Sequence, residues 1–168
     1  FSQPSSRAEM HEENLQAELR TRIANLEKML LIRPNDPQML IQLGNDYFDI
    51  GDHQKAVEAY RKALEIDPRN PDVFTDMAIS YRKLGKTQES VAAFRKALDI
   101  NPNHNLALFN LGIVLRDDLK DYTGALNVWE TFLKVAPDSP HTVMIRPWVK
   151  QLKDKLGQAQ TQSQPGKN

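Results

Sequence analysis

The sequence predicts an all-α protein made of stacked helix pairs, because one unit of sequence occurs twice at a fixed spacing. The tetrapeptide Arg61-Lys62-Ala63-Leu64 returns 34 residues later as Arg95-Lys96-Ala97-Leu98. Further matches at the same distance are Tyr47 with Tyr81, Gly51 with Gly85, Ala59 with Ala93, Ile66 with Ile100 and Pro68 with Pro102. A period of about 20 to 50 residues indicates a repeat protein, in which each unit covers the apolar face of its neighbour. Such arrays present a broad concave surface, which favours a binding protein over an enzyme.

The composition gives no reason to expect nucleic acid or a membrane as the partner. The 168 residues include 22 basic and 22 acidic side chains, so the formal net charge is zero. Nucleic acid and anionic membranes attract proteins largely through their negative charge. The sequence also lacks a run of about 18 apolar residues, the length that a membrane-spanning helix needs. Because there is no cysteine, disulfides and thiolate metal sites are excluded.

The compartment stays open at this stage. The sequence begins at Phe1 rather than at a methionine, and we interpret this start as a sign that a leading segment is missing. A membrane anchor in that segment would make the chain a periplasmic, membrane-tethered protein.

The segment 7–36 predicts an N-terminal helix. Its apolar residues are spaced four, four, three and four apart, which places them on one stripe: Leu15, Leu19, Ile23, Leu26 and Leu30. Pro34 lies 34 residues before Pro68, so we interpret this helix as an unpaired second helix before the first full repeat. A coiled coil is the alternative. The polar lead 1–6 and the polar tail 157–168 are predicted to be disordered.

Start and stop signals divide the rest of the chain into three repeats and a capping helix: 37–70, 71–104, 105–139 and 140–156. Asp36, Asn70 and Ser139 each place a capping side chain before a proline, which suits the first turn of a helix. Gly51 and Gly85 end the first helices of two repeats, because glycine readily adopts the left-handed conformation found at helix ends.

The third repeat is longer than the first two, and the capping helix contains a proline. Pro137 lies 35 residues after Pro102, so one residue has been inserted between Leu115 and Tyr122. Pro147 is predicted to kink the capping helix, since an interior proline has no N–H for the helical hydrogen bond. The apolar face of that helix consists of Ile145, Trp148, Val149, Leu152 and Leu156.

Three ordered sets of residues resemble the tetratricopeptide repeat (TPR). The first set matches except at the opening aromatic position, where Leu40 stands: Leu43-Gly44, Tyr47, Gly51, Ala56, Tyr60, Ala63 and Pro68. The second has Ser90 in place of an alanine: Phe74, Met77-Ala78, Tyr81, Gly85, Phe94, Ala97 and Pro102. The third is looser: Leu111-Gly112, Ala125, Trp129 and Pro137. The resemblance implies a right-handed superhelical stack of antiparallel helix pairs, with about three TPR units.

No residue pattern points to catalysis, a cofactor or a metal. Only His53 of the four histidines has a carboxylate four residues away, Asp49, so ordinary surface or turn histidines are favoured over a metal site. The acidic residues Asp117, Asp118 and Asp121 lack the alternate spacing of a calcium loop. The sequence has no glycine-rich phosphate loop and no nucleophile elbow. We therefore predict neither enzymatic activity nor a bound cofactor.

The face of the first helices that turns away from the second helices is predicted to form a peptide-binding groove. Helical spacing selects these residues for it: Ile41, Asn45, Phe48, Thr75, Asp76, Ile79, Arg82, Leu106, Phe109, Asn110, Ile113 and Arg116. Exposed apolar strips of this kind mark interaction surfaces. Asn45 and Asn110 are expected to hold the N–H and C=O of a peptide backbone, and Arg82 and Arg116 to anchor a carboxylate. The alternative is that the N-terminal helix or a second copy of the chain covers this face.

The predicted function is that of a non-catalytic scaffold that binds a peptide segment of a partner protein. TPR proteins that bind chaperone tails clamp a C-terminal carboxylate with lysine, arginine and asparagine. In this sequence only Asn45 agrees with that clamp, and four of its positions differ: Ile41, Asp76, Leu106 and Asn110. The chain is more similar to bacterial envelope TPR proteins, including those of c-type cytochrome maturation, which implies a role in assembling an envelope complex.

Two other functions stay open on the sequence alone. One is a self-assembling structural module that forms homo-oligomers through its N-terminal helix or its groove. The other is a regulatory or catalytic subunit of a larger enzyme. A monomer with an accessible groove would favour peptide capture over self-assembly.

Overall fold

The computed structural model describes residues 7–162, with side chains from residue 9 to residue 158. This range is all-α and contains no strand, as predicted. Its helices are α1 (Arg7–Ile32), α2 (Pro37–Asp49), α3 (His53–Ile66), α4 (Pro71–Lys83), α5 (Thr87–Ile100), α6 (Asn105–Ile113), α7 (Tyr122–Val135) and α8 (Thr142–Gln162). A π-helical segment, Val114–Asp118, continues α6. The lead 1–6, predicted to be disordered, lies outside the described residues.

The described part of the chain folds as two compact units, which meet in sequence between Gly85 and Lys86. In the first unit α1 packs on α2, α2 on α3 and α3 on α4. In the second unit α5 packs on α6, α6 on α7 and α7 on α8. Within each unit, helices that follow one another in sequence are therefore neighbours in space, which is the packing expected of a helical repeat. The boundary between the units falls inside the predicted repeat 71–104, between α4 and α5.

The predicted signals at the ends of α2 and α4 are present in the structure. The side chain of Asp36 accepts a hydrogen bond from the backbone N–H of Met39 at 3.1 Å, and Asn70 accepts one from Val73 at 3.2 Å. Each satisfies a backbone donor that has no partner within its own helix. Gly51 and Gly85 follow the two helices with φ angles of +83° and +72°. Only glycine adopts this conformation without steric cost.

The start of the last helix was predicted wrongly. The pair Ser139-Pro140 was expected to begin it, but α8 begins at Thr142. The Ser139 hydroxyl accepts a hydrogen bond from the backbone N–H of His141 at 3.4 Å, and the Thr142 hydroxyl donates one to the carbonyl of Ala136 at 3.0 Å. Ser139 thus stabilises a turn before the helix, because its side chain reaches a donor that precedes the first helical residue.

α8 also extends further than predicted. The capping helix was expected to end at Leu156, with a disordered tail over 157–168, but α8 continues to Gln162 with Pro147 inside it. Glutamine and alanine are good helix formers, so a helix already held by packing can propagate through Gln158 and the residues that follow. None of the described helices is long and apolar enough to cross a membrane.

Close contacts between consecutive helices depend on two glycines. A Cβ atom on Gly44 would lie 2.5 Å from the ring of Tyr60, and one on Gly112 would overlap the indole of Trp129. Tyr60 is 1% exposed and Trp129 is fully buried. The missing side chain of each glycine therefore makes room for a large aromatic ring of the next helix.

α1 packs on α2 and is joined to it by hydrogen bonds between side chains. Leu19 and Ile23 of α1 are buried, and Arg22 between them forms a bidentate pair with Asp46 of α2, with 2.6 Å between Nε and Oδ2. One turn later, the hydroxyl of Tyr47 donates a hydrogen bond to the carboxylate of Glu27 at 2.5 Å. α1 thus packs on α2 as an unpaired second helix of a preceding repeat would.

The extra residue of the third repeat coincides with the π-helical segment. Within it the backbone N–H of Leu119 donates to the carbonyl of Val114, five residues earlier, at 3.1 Å. A π turn holds one more residue than an α turn, so an insertion can be absorbed without ending the helix. Lys120 follows it with a φ angle of +57°. Since Lys120 lies 35 residues after Gly85, it occupies the left-handed position that glycine has in the first two repeats.

Candidate functional site

A cleft of 340 Å³ opens between helices of the first unit, and we call it the α2–α4 cleft. It is lined by Asn45, Phe48, Asp49, Tyr60, Asp76 and Ile79. Four of these are predicted groove residues: Asn45, Phe48, Asp76 and Ile79. No residue of α1 is among them, so α1 does not form a wall of this cleft.

The apolar part of the cleft comes from α2 and α4. Asn45 and Phe48 are three residues apart on α2, and this spacing places them on one face of the helix. The Phe48 ring packs on the imidazole of His53, with 5.0 Å between ring centroids. Phe48 and Ile79 are both half-buried, so each presents part of its side chain to the cleft. Ile41 is half-buried one turn before Asn45, but it does not line the cleft.

Tyr60 forms the floor of the cleft and orients Asn45. Its hydroxyl donates a hydrogen bond to the Oδ1 atom of Asn45 at 2.8 Å, and this approach is possible because Gly44 leaves space for the ring. Asn45 was expected to bind both an N–H and a C=O of a peptide. Its oxygen uses one of two acceptor positions on Tyr60, so Asn45 offers a ligand its amide N–H groups and the second acceptor position.

The electrostatic character of the cleft is negative. Burial raises the pKa of Tyr60, and the carboxylates of Asp76, Asp49 and Asp46 raise it further. Asp46 is paired with Arg22 and also accepts a hydrogen bond from the amide of Gln42 at 2.8 Å. Asp49 and Asp76 are therefore the acidic residues that line the cleft itself.

His53 adds no positive charge beside the cleft at neutral pH. Burial lowers its pKa, the nearby Lys83 lowers it further, and Asp52 opposes these effects. Its Nδ1 atom is buried and has no hydrogen-bond partner among the described residues. The neutral imidazole thus serves as a packing surface for Phe48.

Two residues predicted on α4 do not line the cleft. Thr75 was expected in the groove, but it is fully buried, and its hydroxyl donates to the carbonyl of Pro71 at 2.8 Å. Successive residues of a helix point about 100° apart, so when Asp76 and Ile79 face the cleft, Thr75 points away from Asp76 into the packed interior. Arg82 is half-buried in the last turn of α4, and its role as a carboxylate anchor stays a prediction.

In the second unit, the predicted groove residues Phe109 and Asn110 take part in packing and local hydrogen bonds. Phe109 stacks on His141 with 4.2 Å between ring centroids and lies 6.3 Å from Phe132. The amide of Asn110 donates to the carbonyl of Leu106 in its own helix at 2.9 Å. Phe109 therefore belongs to the contact with the segment before α8 as much as to an exposed face. Ile113 is half-buried, and Leu106 is exposed.

Arg116 was predicted to anchor a carboxylate of a ligand, but its partners are within the chain. Its guanidinium binds the carboxylate of Asp117, with 2.9 Å between Nη2 and Oδ2. It also lies over the rings of Trp129, at 4.9 Å, and of Trp148, at 4.1 Å. The sequence analysis missed this stack, although the placement of Trp148 on the apolar face of the capping helix was the signal that could have indicated it.

The acidic cluster next to Arg116 serves structural roles. Asp121 caps α7 by accepting a hydrogen bond from the N–H of Gly124 at 2.8 Å, and Asp117 binds Arg116. Among the described residues, no group of three or more histidine, aspartate or glutamate side chains could hold a metal ion.

Comparison with known proteins places the repeats in a family. A model described as "TPR repeat" matches residues 44–85, and two models described as "Tetratricopeptide repeat" match residues 71–104 and 106–139. The comparison with curated proteins found no match.

Several solved structures have a fold similar to that of this chain. A crystal structure of MamA is 20% identical, with a TM-score of 0.76, over 87% of this chain and 83% of that chain. The first TPR of Spaghetti (RPAP3), bound to the HSP90 peptide SRMEEVD, is 24% identical, with a TM-score of 0.64, over 72% and 93%. The TPR2B domain of yeast Sti1 in complex with pHsp70 is 20% identical, with a TM-score of 0.65, over 71% and 97%. Taken with the three family matches, these likenesses establish that this chain carries three tetratricopeptide repeats.

Proposed function

We propose that this chain is a non-catalytic interaction scaffold that binds a peptide segment of a partner protein, with the α2–α4 cleft as the point of contact. The observation that carries the proposal is the cleft itself. It combines two partly exposed apolar side chains, Phe48 and Ile79, with polar groups that a peptide can use, on helices of a TPR fold. The solved TPR structures that contain an HSP90 peptide and pHsp70 support a peptide as the ligand class.

The size of the cleft suits one or two side chains of an extended segment. Its volume of 340 Å³ lies at the small end of ligand sites. The amide of Asn45 can donate to a backbone carbonyl of the peptide, which would fix its direction. Because apolar contact is limited to two partly buried side chains, dissociation constants in about the micromolar range are expected.

The finer parts of the predicted role rest on resemblance. A place in the assembly of an envelope complex stays a proposal, and the partner's identity is left to experiment. Chaperone tails remain disfavoured as ligands, because Asp76 stands where a clamp that binds a carboxylate would have a different residue.

The test is a peptide-array screen that compares the wild type with Phe48→Ala and Ile79→Ala. Each truncation should weaken binding by about 1 to 2 kcal/mol, or roughly 5- to 30-fold, because it removes apolar surface from the contact. Ile66→Ala is the matched control, since Ile66 is 40% exposed at the end of α3 and does not line the cleft. Circular dichroism checks folding. If both cleft variants bind every wild-type peptide equally well, the cleft is not the binding surface.

The end of α1 supports self-assembly as a second candidate function. Leu31 and Ile32 are 85% and 84% exposed, and Met29 is 42% exposed. Adjacent large apolar side chains with this exposure are a common feature of contact surfaces. Light scattering after size-exclusion chromatography of the wild type and of Leu31→Ser/Ile32→Ser tests the idea. A wild-type oligomer that the double substitution converts to a monomer would support it, and a wild-type monomer would exclude it.

A further inference from the structure

We propose that α8 of one copy of this chain binds the first half of α1 of a second copy through opposite charges. This inference rests on self-assembly, the second candidate function, and not on peptide binding, since neither surface lines the α2–α4 cleft. It also uses a different part of α1 from the exposed end that carries Leu31 and Ile32. The acidic face of α1 consists of Glu12, Leu15 and Glu18, and the basic face of α8 consists of Val143, Arg146, Pro147 and Lys150.

The acidic face lies in the part of α1 that precedes its contacts with α2. Among the described residues of α1, the buried side chains, Leu19 and Ile23, and the side-chain bonds to α2 all occur from residue 19 onwards. Glu12, Leu15 and Glu18 are spaced three residues apart, so they share one side of the helix. Both glutamates are exposed, and Leu15 is 48% exposed. Residues 9–18 contain four glutamates and neither lysine nor arginine, so this half of α1 is strongly negative.

The basic face lies on the side of α8 that turns away from α7. α8 packs on α7 through one buried stripe, which consists of Ile145, Val149 and Leu152. The residues of the basic face are spaced three, one and three apart, which places them on the opposite side of the helix. All four are exposed, and Val143 is 77% exposed. This side of α8 therefore presents apolar surface beside two cations.

The cations of the basic face differ from the other two lysines of α8, which have partners in α7. Lys153 binds the carboxylate of Glu130 at 2.7 Å, and Lys155 lies 3.7 Å from the centroid of a tyrosine ring. Arg146 and Lys150 form no hydrogen bond or ion pair with residues 9–158. Their charges are therefore available to a second molecule.

The carboxylates of the acidic face are available in the same way. Glu12 and Glu18 form no hydrogen bond or ion pair with residues 9–158. The charge of Glu18 acts on Arg22 one turn further along the helix, but the guanidinium of Arg22 is bonded to Asp46 of α2. A cation of a second molecule can therefore approach both glutamates.

No other helix covers either face in the described part of the chain. An open depression of 510 Å³ runs along α1 and is lined by residues of α1 alone, Glu18 among them. A second depression, of 430 Å³, is lined by residues of α8 alone, including Pro147 and Lys150. A depression between two helices would have residues of both in its walls, as the α2–α4 cleft has. Each face is therefore a shallow open surface on which a helix can lie.

The two faces complement each other in chemistry. On α1, Leu15 lies between two carboxylates, and on α8, Val143 and Pro147 lie beside two cations. A contact would bury the apolar side chains against each other and place the opposite charges side by side. Contact between two acidic faces or between two basic faces would bring like charges together and is disfavoured. A second copy supplies the required partner, because every copy carries both faces.

Reversing the charges of one face at a time tests the inference. We expect the full wild-type chain to form oligomers in sedimentation equilibrium at about 0.05 M NaCl and to dissociate more readily at about 0.5 M NaCl, because salt screens exposed charges. Arg146→Glu/Lys150→Glu and Glu12→Lys/Glu18→Lys should each raise the dissociation constant at least about tenfold, since like charges then face each other. An equimolar mixture of the two variants should assemble again, because every contact between different variants pairs opposite charges.

Matched controls separate the two faces from the overall charge of the chain. Arg95→Glu/Lys96→Glu makes the same change of charge at two exposed residues of α5. Glu13→Lys changes a glutamate on the side of α1 opposite to the acidic face. Both controls should assemble as the wild type does, and circular dichroism checks the folding of every variant. Glu12→Lys alone is used if the double variant of α1 is unstable.

The outcomes separate this inference from the functions proposed above. A wild-type chain that stays monomeric at every concentration, at low salt, would overturn the inference and exclude self-assembly, while peptide binding would stand. Assembly that persists in both charge-reversed variants would overturn the inference alone. If Leu31→Ser/Ile32→Ser then gives a monomer, the end of α1 is the contact. Two monomeric charge-reversed variants whose mixture stays monomeric would also overturn the inference, because the mixture restores the complementary charges.

Discussion

The guanidinium of Arg22 pairs with the carboxylate of Asp46, and the two partners differ sharply in exposure. The side chain of Asp46 is fully buried, whereas that of Arg22 is 53% exposed. A buried carboxylate needs its partner, because an unpaired charge away from water is costly. This pair joins α1 to α2, so it links the N-terminal helix to the first repeat.

Replacing Arg22 should therefore reduce the stability of the fold more than the exposure of its side chain suggests. We expect Arg22→Ala to lower the free energy of unfolding by about 1 to 3 kcal/mol, with the hydrogen bond from Gln42 to Asp46 limiting the loss. Urea denaturation, monitored by circular dichroism, measures this loss of stability. Arg20→Ala is the control, because Arg20 is exposed on the same helix. Equal urea midpoints for the two variants would contradict the expected role of the pair.

Gly44→Ala should destabilise the first unit by about 1 to 3 kcal/mol, since the added methyl group would lie 2.5 Å from the Tyr60 ring. Gly51→Ala gives the comparison: nothing lies within 4 Å of its added atom, so its cost comes only from the φ angle of +83°. Gly44→Ala should cost less in a Tyr60→Leu background than in the wild type, because the smaller side chain leaves room for the added methyl group; the double-mutant cycle measures this difference. If Gly44→Ala unfolds at the same temperature as the wild type, the close contact between Gly44 and the Tyr60 ring is contradicted.

Lys120→Gly should stabilise the second unit. Lys120 has a φ angle of +57°, which a side chain disfavours. Glycine removes that strain but loses the hydrogen bond from the Lys120 ammonium to the carbonyl of Asp117, so the net gain is about 0.5 to 1 kcal/mol. The same substitution at Lys96, which is exposed in the interior of α5, should destabilise by about 1 kcal/mol. Chemical denaturation shows whether each substitution raises or lowers the free energy of unfolding. A loss of stability in both variants would contradict the explanation.

Stability should fall in mild acid because of His53. Its folded-state pKa is lowered, so the unfolded chain binds a proton at a higher pH than the folded chain does. The contribution of the neutral imidazole is therefore complete above the ordinary pKa of about 6.5 and is lost as the pH falls through the lower folded value. His53→Phe keeps a ring beneath Phe48 and should show a smaller loss between neutral and acidic pH in urea titrations. His11→Asn, at an exposed site on α1, is the control for the removal of a histidine.

The repeat architecture could be predicted from the sequence because its determinants are local and periodic. Gly51 and Gly85 mark helix ends through their own backbone preference, and Asp36 and Asn70 cap helices through hydrogen bonds three residues away. Such local requirements can be recognised in a single sequence. The length of α8 was harder to predict from the sequence, because polar residues such as Gln158 are compatible with both a helix and a disordered tail.

The candidate site was predicted only in part, because it depends on contacts between helices. Helical spacing identified the stripe that contains Asn45, Phe48 and Ile79, but a small rotation of α4 decides that Asp76 lines the cleft and Thr75 does not. Arg116 was expected to face a ligand, yet Trp148 lies 32 residues further along and stacks on it. Sequence spacing within one helix contains no information about such a partner.

The stack of Trp129, Arg116 and Trp148 gives the chain a built-in spectroscopic reporter. The sequence has two tryptophans, both in the second unit, with 5.1 Å between their ring centroids. The first unit absorbs through tyrosines such as Tyr47 and Tyr60. Selective excitation of indole fluorescence therefore follows the second unit alone, while circular dichroism follows the helices of both. A difference between the two denaturation curves would show that the units unfold at different denaturant concentrations, without any added label.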